Sequence, residues 1–135
     1  MLVYWEDNIH ALGYDVIDAG HRLMIDVINR LNTYDRKRGE RDVVGESLAG
    51  LERQMARQFH HEEAVMVLSR SQRLAEHRRA HGRFLDTLAA LRHRHEAGED
   101  VVALVLVNLV AFLTSHLRGD DVDEFTATRV GRRAA

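Results

Sequence analysis

The chain has 135 residues, of which 45% are hydrophobic and 30% charged, and its formal net charge is −2. This length and balance are typical of one globular domain, which we expect to span residues 1–135. The near-neutral charge excludes the strongly basic surface that nucleic acids and anionic membranes attract, so we expect neither as a partner. Cysteine is absent, which excludes disulfides, thiolate metal sites and thiol nucleophiles. Because the first residues do not resemble a leader segment, we expect a cytoplasmic protein.

The first half of the chain predicts two helices. Residues 16–31 place apolar side chains at three- and four-residue steps, which is the stripe of an amphipathic helix. Residues 34–42 are polar and predict a connection. A second helix is predicted from Val43 or Glu46 to Leu68. Ser69 and Ser71 mark a weak break after it, and either serine could cap the next helix.

The second half predicts two more helices. The third covers residues 72–96 and ends near Gly98, a residue that favours a helix C-terminus. The fourth starts near Asp100 and runs to about residue 118. Its apolar run, residues 101–113, is shorter than the ~20 residues that cross a membrane, so we expect a fully buried helix. No segment alternates convincingly with period two, and proline is absent. The sequence therefore predicts an all-α fold, an antiparallel up-down-up-down four-helix bundle with short connections.

Each predicted helix carries a histidine or a glutamate that could bind a metal. His77 and His81 are four residues apart and project from one face of a helix. Glu62 is expected to face the core, His21 lies at the edge of the first apolar stripe, and His116 lies near the end of the fourth helix. Taken singly, each has an ordinary explanation as an exposed or satisfied core residue. Together they are costly to bury unless they satisfy one another or coordinate a metal, as happens inside helix bundles.

Four sequence motifs contain these residues: IDAGHRL, HEEAVM, HRRAHGRF and FLTSHLRGDD. From Trp5 to Phe125 the chain resembles the hemerythrin family, and in particular its bacterial hemerythrin-like domains. The resemblance implies a non-haem di-iron centre with an oxo or hydroxo bridge, which binds O2, NO or a related small ligand or anion. The metal ligands that it implies are His21, Glu62, His77, His81, His116 and Asp121. Glu62 and Asp121 would join both irons, of which one would carry His77, His81 and His116, and the other His21.

Gln58 departs from the family pattern, which has a histidine four residues before the bridging glutamate. One helical turn separates Gln58 from Glu62, so its side chain faces the predicted site. The iron bound by His21 then keeps three protein ligands, or gains a weak amide oxygen from Gln58. His60 and His61 lie roughly 200° and 100° around the helix from Glu62, so we expect both on the solvated face. The histidines that match no ligand position are also expected to be exposed: His10, His93 and His95.

The end of the fourth helix leaves one ambiguity. On an unbroken helix, Asp120 would lie closer than Asp121 to the face of His116. The resemblance selects Asp121, which requires the helix to unwind after His116, and Gly119 makes that ending sterically easy. Gly119 also lies where the family can carry a bulky apolar side chain over the oxygen pocket. Gln58 and Gly119 therefore both predict a pocket that is more open to small ligands.

An open pocket favours sensing of oxygen or redox state over storage, because a stable carrier needs a closed and dry site. We therefore expect a sensing domain, with a signalling output domain fused to it or associated with it. The sequence favours this role over an enzyme, since it contains no recognisable catalytic base beyond the metal ligands. Two alternatives stay open: a stand-alone oxygen carrier or scavenger, and a di-iron enzyme of the oxidase or peroxidase type.

Overall fold

The computed structural model describes residues 15–33 and 41–114, with side chains from Gly20 onward. Four α-helices occupy this part of the chain: α1 (Asp15–Asn32), α2 (Arg41–Leu68), α3 (Leu74–Glu96) and α4 (Val102–Phe112). The two described ranges contain no strand. The predicted all-α four-helix fold is confirmed.

The helices form a ring of neighbours around one core. α2 packs against α1 and α3, and α4 packs against the same two helices from the other side. Helices joined by short connections run antiparallel, and the first and last helices lie side by side, as in an up-down-up-down bundle. All four helices contribute fully buried apolar side chains to the core, among them Met24, Leu48, Leu88 and Leu109.

α2 begins before its earliest predicted start, because its first turn is held by the end of α3. Arg41 and Asp42, which were predicted to lie in the connection, are helical. The Arg41 guanidinium donates hydrogen bonds to the carbonyl oxygens of His95, at 2.5 Å, and Gly98, at 3.4 Å. The Asp42 carboxylate is favoured near the positive end of the helix dipole. The polar composition of this segment predicted a connection, but a tertiary contact extends the helix.

α3 ends where its glycine predicted. Gly98 has a φ of +100°, the left-handed conformation that glycine adopts most easily. Its N–H donates to the carbonyl of His95, and the N–H of Glu99 donates to the carbonyl of Arg94, both at 3.0 Å. This pair of hydrogen bonds is a Schellman ending, which satisfies the last carbonyl groups of the helix.

α2 has the same type of ending without a glycine. Arg70 holds the left-handed position with a φ of 56°, where a side chain is less favourable than glycine. The Ser71 hydroxyl accepts a hydrogen bond from the backbone N–H of Arg73 at 3.1 Å. The N-cap position of α3 is Arg73, without a side-chain cap, so the suggestion that a serine occupies the N-cap position is wrong.

α4 is buried on one side only. Val105 and Leu109 are fully buried, whereas Leu104, Val107 and Val110 are 40%, 67% and 43% exposed. The expectation of a fully buried helix is therefore wrong for the outward face, because each helix of a four-membered ring keeps one side away from the core. In the part of the chain that the structure describes, no helix is both long enough and apolar enough to span a membrane.

Candidate metal centre

One side of α2 forms a continuous buried stripe in which the chemistry changes along the helix. It follows three- and four-residue steps through Val44, Leu48, Leu51, Met55, Gln58, Glu62 and Met66, and Ser47 and Phe59 beside it are buried as well. Gln58 and Glu62 are both 0% exposed. Helical periodicity thus carries an amide and a carboxylate into the interior, where such groups need partners or bound ions.

Glu62 lies between histidines of two other helices. Its Oε1 is 3.7 Å from Nε2 of His21 on α1, and its Oε2 is 3.3 Å from Nε2 of His81 on α3. Both imidazoles are 2% exposed. Each oxygen of one buried carboxylate therefore faces a different imidazole, and a carboxylate in this arrangement can join two cations.

His77 adds a third imidazole to the group. It lies one turn before His81 on α3 and is 2% exposed, and the two ring centroids are 5.7 Å apart with an interplanar angle of 81°. The predicted i,i+4 geometry is thus present, with both rings on the buried side of the helix. We call the four side chains His21, Glu62, His77 and His81 the histidine–glutamate cluster.

An aromatic layer closes one side of this cluster. The His81 ring stacks on Phe59 with centroids 3.8 Å apart and an interplanar angle of 3°. Phe59 in turn contacts Phe84 of α3 and Phe112 of α4, which stack on each other at 3.9 Å. These rings exclude water from that side, and the lower local dielectric strengthens electrostatic interactions inside the cluster.

Gln58 occupies a space that a glycine of α1 provides. A methyl group added to Gly20, the residue before His21, would overlap the Gln58 carboxamide. Neither Nε2 nor Oε1 of Gln58 has a hydrogen-bond partner in the described part of the chain. A fully buried amide in this state carries an uncompensated desolvation penalty of about 1–3 kcal/mol. A ligand that offered hydrogen bonds beside Gln58 would remove that penalty.

The side of His81 away from Glu62 is also occupied. Its Nδ1 is 3.1 Å from Oε2 of Glu63, which is the residue after Glu62. The second oxygen of Glu63 accepts a hydrogen bond of 3.0 Å from Nε of Arg78. The His81 ring is therefore held by polar contacts at both nitrogens and by Phe59 on its face.

Several predicted site residues lie outside the described residues. These are His116, Asp121, Gly119 and the alternative Asp120, together with His10. Within residues 15–33 and 41–114, no three histidine or carboxylate side chains are arranged to hold an ion by themselves. The predicted ligand set needs both His116 and Asp121 to be complete.

The other histidines divide into exposed and buried groups. His60, His61 and His93 are exposed, as predicted. The expectation for His95 is wrong, since it is only 9% exposed. It continues the inward stripe of α3, and its Nε2 lies 3.1 Å from the point where Gly45 would carry a Cβ. The absence of a side chain at Gly45 leaves room for the imidazole where α2 and α3 approach closely.

A groove of about 720 Å³ lies at the opposite end of α2 and α3, between Arg41, Glu52, Arg92 and His95. Arg92 donates hydrogen bonds to Glu52 and Glu96, and these bonds hold the pKa of Arg92 above its ordinary value. These three charges of the groove thus pair with one another. The size of the groove alone does not make it a better candidate for the functional site than the histidine–glutamate cluster.

Sequence reasoning missed two contributors to the site. Gly20 could have been found as a glycine inside a helical pattern, which indicates a close approach. Glu63 was hidden because it follows Glu62 and points about 100° away from it on the helix. Only the tertiary structure brings Glu63 to the far nitrogen of His81.

The donor atoms of the cluster fit iron. They are imidazole nitrogens and carboxylate oxygens without sulfur, a set that suits iron better than copper(I) or structural zinc.

Comparison with known proteins agrees with this chemistry. The hemerythrin HHE cation-binding domain family matches residues 12–127. A bacteriohemerythrin of Stenotrophomonas maltophilia is 33% identical over 120 residues, covering 89% of this chain and 77% of that protein. A bacteriohemerythrin of Pseudomonas aeruginosa is 30% identical over 126 residues, covering 93% and 80%. The chain therefore belongs to the hemerythrin family, whose domains hold a non-haem di-iron centre that binds oxygen.

Proposed function

We propose that the histidine–glutamate cluster, completed by His116 and Asp121, holds the di-iron centre, and that the chain uses it to sense oxygen, nitric oxide or redox state. The observation that carries the metal assignment is Glu62. It is fully buried, and its two oxygens face imidazoles of two different helices at 3.3 and 3.7 Å. When bound, the iron pair supplies the electrons that oxygen takes up and an exchangeable position for a small ligand.

In this proposal each polar side chain has one task. Glu62 and Asp121 would help to hold both ions. His77, His81 and His116 would hold one ion, and His21 would hold the other. The aromatic layer around Phe59 keeps water away from the His81 side of the site.

Gln58 sets the character of the site in this proposal. It occupies the position of a family histidine, so an ion held by His21 would have one protein ligand fewer and could take an exchangeable ligand instead. Nε2 and Oε1 of the buried amide have no partner in the described ranges. The amide can therefore donate a hydrogen bond to that ligand or accept one from it. A site of this kind admits and releases ligands more readily than the closed site of a storage protein.

The contact between Gln58 and Gly20 would transmit the effect of ligand binding from the site to α1. The Gln58 carboxamide lies directly against α1 at Gly20, so a ligand that reorients the amide changes the packing of this helix. An output domain, fused to the chain or associated with it, would respond to α1. The cytoplasmic location stays a prediction.

Reaction of the reduced, iron-loaded protein with oxygen tests this function. We expect the oxygenated protein to convert quickly to the oxidised form in stopped-flow spectra, and added azide to bind readily. Gln58→His should lengthen the life of the oxygenated protein, because an imidazole fills the open position. Gln54→His is the matched control, since it introduces the same residue one turn further from Glu62, and it should change nothing.

A different outcome would favour the alternative functions. If the oxygenated natural protein were long-lived and Gln58→His left its lifetime unchanged, the open-site argument would fail. The stand-alone carrier or scavenger would then be the better interpretation of the same metal centre.

A further inference from the structure

We infer that Glu63 is a positioning residue for the metal centre: its carboxylate fixes the His81 ring so that Nε2 faces the metal. This inference rests on the proposed di-iron site. It concerns a residue that coordinates nothing itself and acts only through the imidazole it contacts.

The chemistry of the two groups determines the direction of the hydrogen bond. An ionised carboxylate can only accept, so Nδ1 of His81 must carry the hydrogen that it shares with Glu63 at 3.1 Å. When a metal binds Nε2, a neutral imidazole has its one N–H on Nδ1, where Glu63 accepts it. Nε2 is the nitrogen that faces Oε2 of Glu62, at 3.3 Å. Both nitrogens of the ring thus face carboxylates, and the contact with Glu63 keeps a hydrogen on Nδ1, so that Nε2 is the nitrogen left for a metal.

Two further contacts keep this arrangement rigid. Arg78 donates to the other oxygen of Glu63 at 3.0 Å, which fixes the plane of the carboxylate. Phe59 stacks on the ring with an interplanar angle of 3°, which prevents the imidazole from rotating out of line. The Glu63 side chain is 23% exposed and Arg78 is 56% exposed, so the ion pair adds little stability by itself. The ion pair instead fixes the orientation of the Glu63 carboxylate, and thereby of the His81 ring.

The chain contains a second ion pair between α2 and α3 that does not orient a histidine, and this pair serves as a control. Glu52 of α2 and Arg92 of α3 form an ion pair between the same two helices, and the Glu52 side chain is 20% exposed, close to the value for Glu63. Arg92 bonds to Glu52 and Glu96, and no histidine contact to Glu52 occurs among the described residues. Glu52 variants therefore report what an ordinary α2–α3 ion pair contributes.

The first measurement is the rate at which the iron-loaded protein loses iron to a chelator. Glu63→Ala should raise that rate about 10- to 100-fold, the range typical for loss of a group that orients a metal-binding histidine. Glu63→Gln should retain most of the natural behaviour, because its amide oxygen still accepts from Nδ1. Glu52→Ala and Glu52→Gln should release iron at the natural rate.

The second measurement does not depend on iron. Nitrogen-15 spectra of the full chain without metal report which nitrogens of each imidazole carry a hydrogen, and His81→Gln identifies the His81 signals. We expect Nδ1 of His81 to carry a hydrogen in the natural chain and in Glu63→Gln, and to lose it in Glu63→Ala only, where Glu62 is left to accept from the ring through Nε2. If the natural chain bound no iron, the proposed function would fail while this result still decided the role of Glu63.

Two results would overturn the inference. One is a Glu63→Ala protein whose His81 tautomer is unchanged, even if it released iron faster, since the carboxylate would then act on the fold and not on the ring. The other is an equal increase of iron loss in the Glu63→Ala and Glu52→Ala proteins, which would make the effect a general property of α2–α3 ion pairs.

Discussion

Both halves of α2 are buried along one side, but only the second, which we call the polar half, buries an amide and a carboxylate beside its apolar residues Phe59 and Met66. In the first half, the core positions Val44, Leu48, Leu51 and Met55 are 0–2% exposed and apolar. In the second half, Gln58 and Glu62 continue the same stripe and are 0% exposed. The helix geometry is the same in both halves, so the periodicity decides which positions are buried and the residue identity decides what burial achieves.

The comparison separates stability from function within one helix. Apolar burial stabilises the bundle by about 25 cal/mol per Å² of surface removed from water. Burial of an amide and a carboxylate opposes folding unless partners or ions compensate. The chain therefore gives up stability at Gln58 in the polar half of α2, and His21, His77 and His81 converge around that half.

The largest expected effect comes from removing one histidine of the polar half. His81→Ala should lower the iron content from close to two per chain to less than one, because it removes a proposed ligand and leaves Glu62 without one of its two neighbours. Metal analysis of purified protein measures this. His93→Ala is the control on the same helix, since the His93 side chain is 70% exposed, and full iron content in both variants would contradict the assignment.

A change in the apolar first half of α2 should reduce the stability of the fold and leave the iron content unchanged. Leu48→Ala should reduce the free energy of unfolding by about 2–5 kcal/mol, because it opens a cavity in a fully packed core. Denaturant titration measures this loss. The folded protein should still bind close to two irons per chain, and a loss of iron in proportion to the loss of stability would remove the distinction between the two halves.

Gly20→Ala tests the fit between α1 and the polar half. The added methyl group overlaps the Gln58 carboxamide, and such overpacking typically costs about 1–3 kcal/mol. The double variant Gly20→Ala with Gln58→Ala should recover part of this loss, because the obstructing side chain is gone. Unfolding experiments on the single and double variants measure the coupling, and strictly additive effects would show that the two residues do not compete for one space.

Gln58→Met should have the smallest effect, since it replaces the Gln58 side chain with an apolar one of similar shape. The metal-free chain should become more stable by about 1 kcal/mol or more, because a buried amide without a partner is replaced by a thioether. Thermal unfolding of the metal-free chain detects such a difference. A loss of stability would show that the Gln58 amide is satisfied in the folded chain.

The elements of the fold were predictable because they depend on local patterns. The three- and four-residue spacing of apolar residues gave the helices, and Gly98 gave the end of α3. The start of α2 at Arg41 was not predictable, since it depends on carbonyl groups of His95 and Gly98, more than 50 positions further along the chain.

The site was predictable only as far as motifs and one helix face allow. His77 and His81 share a face by simple geometry, and the resemblance to hemerythrins selected His21 and Glu62. Spacing along one helix could not reveal that Gly20 admits Gln58 or that Glu63 reaches Nδ1 of His81, because both contacts join different helices. The burial of His95 depends in the same way on the close approach at Gly45.

The metal content of the natural chain tests the central claim most directly. The protein is produced with both iron and zinc supplied in excess, and each metal is then measured per chain together with the visible spectrum before and after exposure to air. The account predicts close to two irons per chain and a spectrum that changes when oxygen is admitted. Zinc alone, or a spectrum that does not respond to air in an iron-loaded protein, would contradict it.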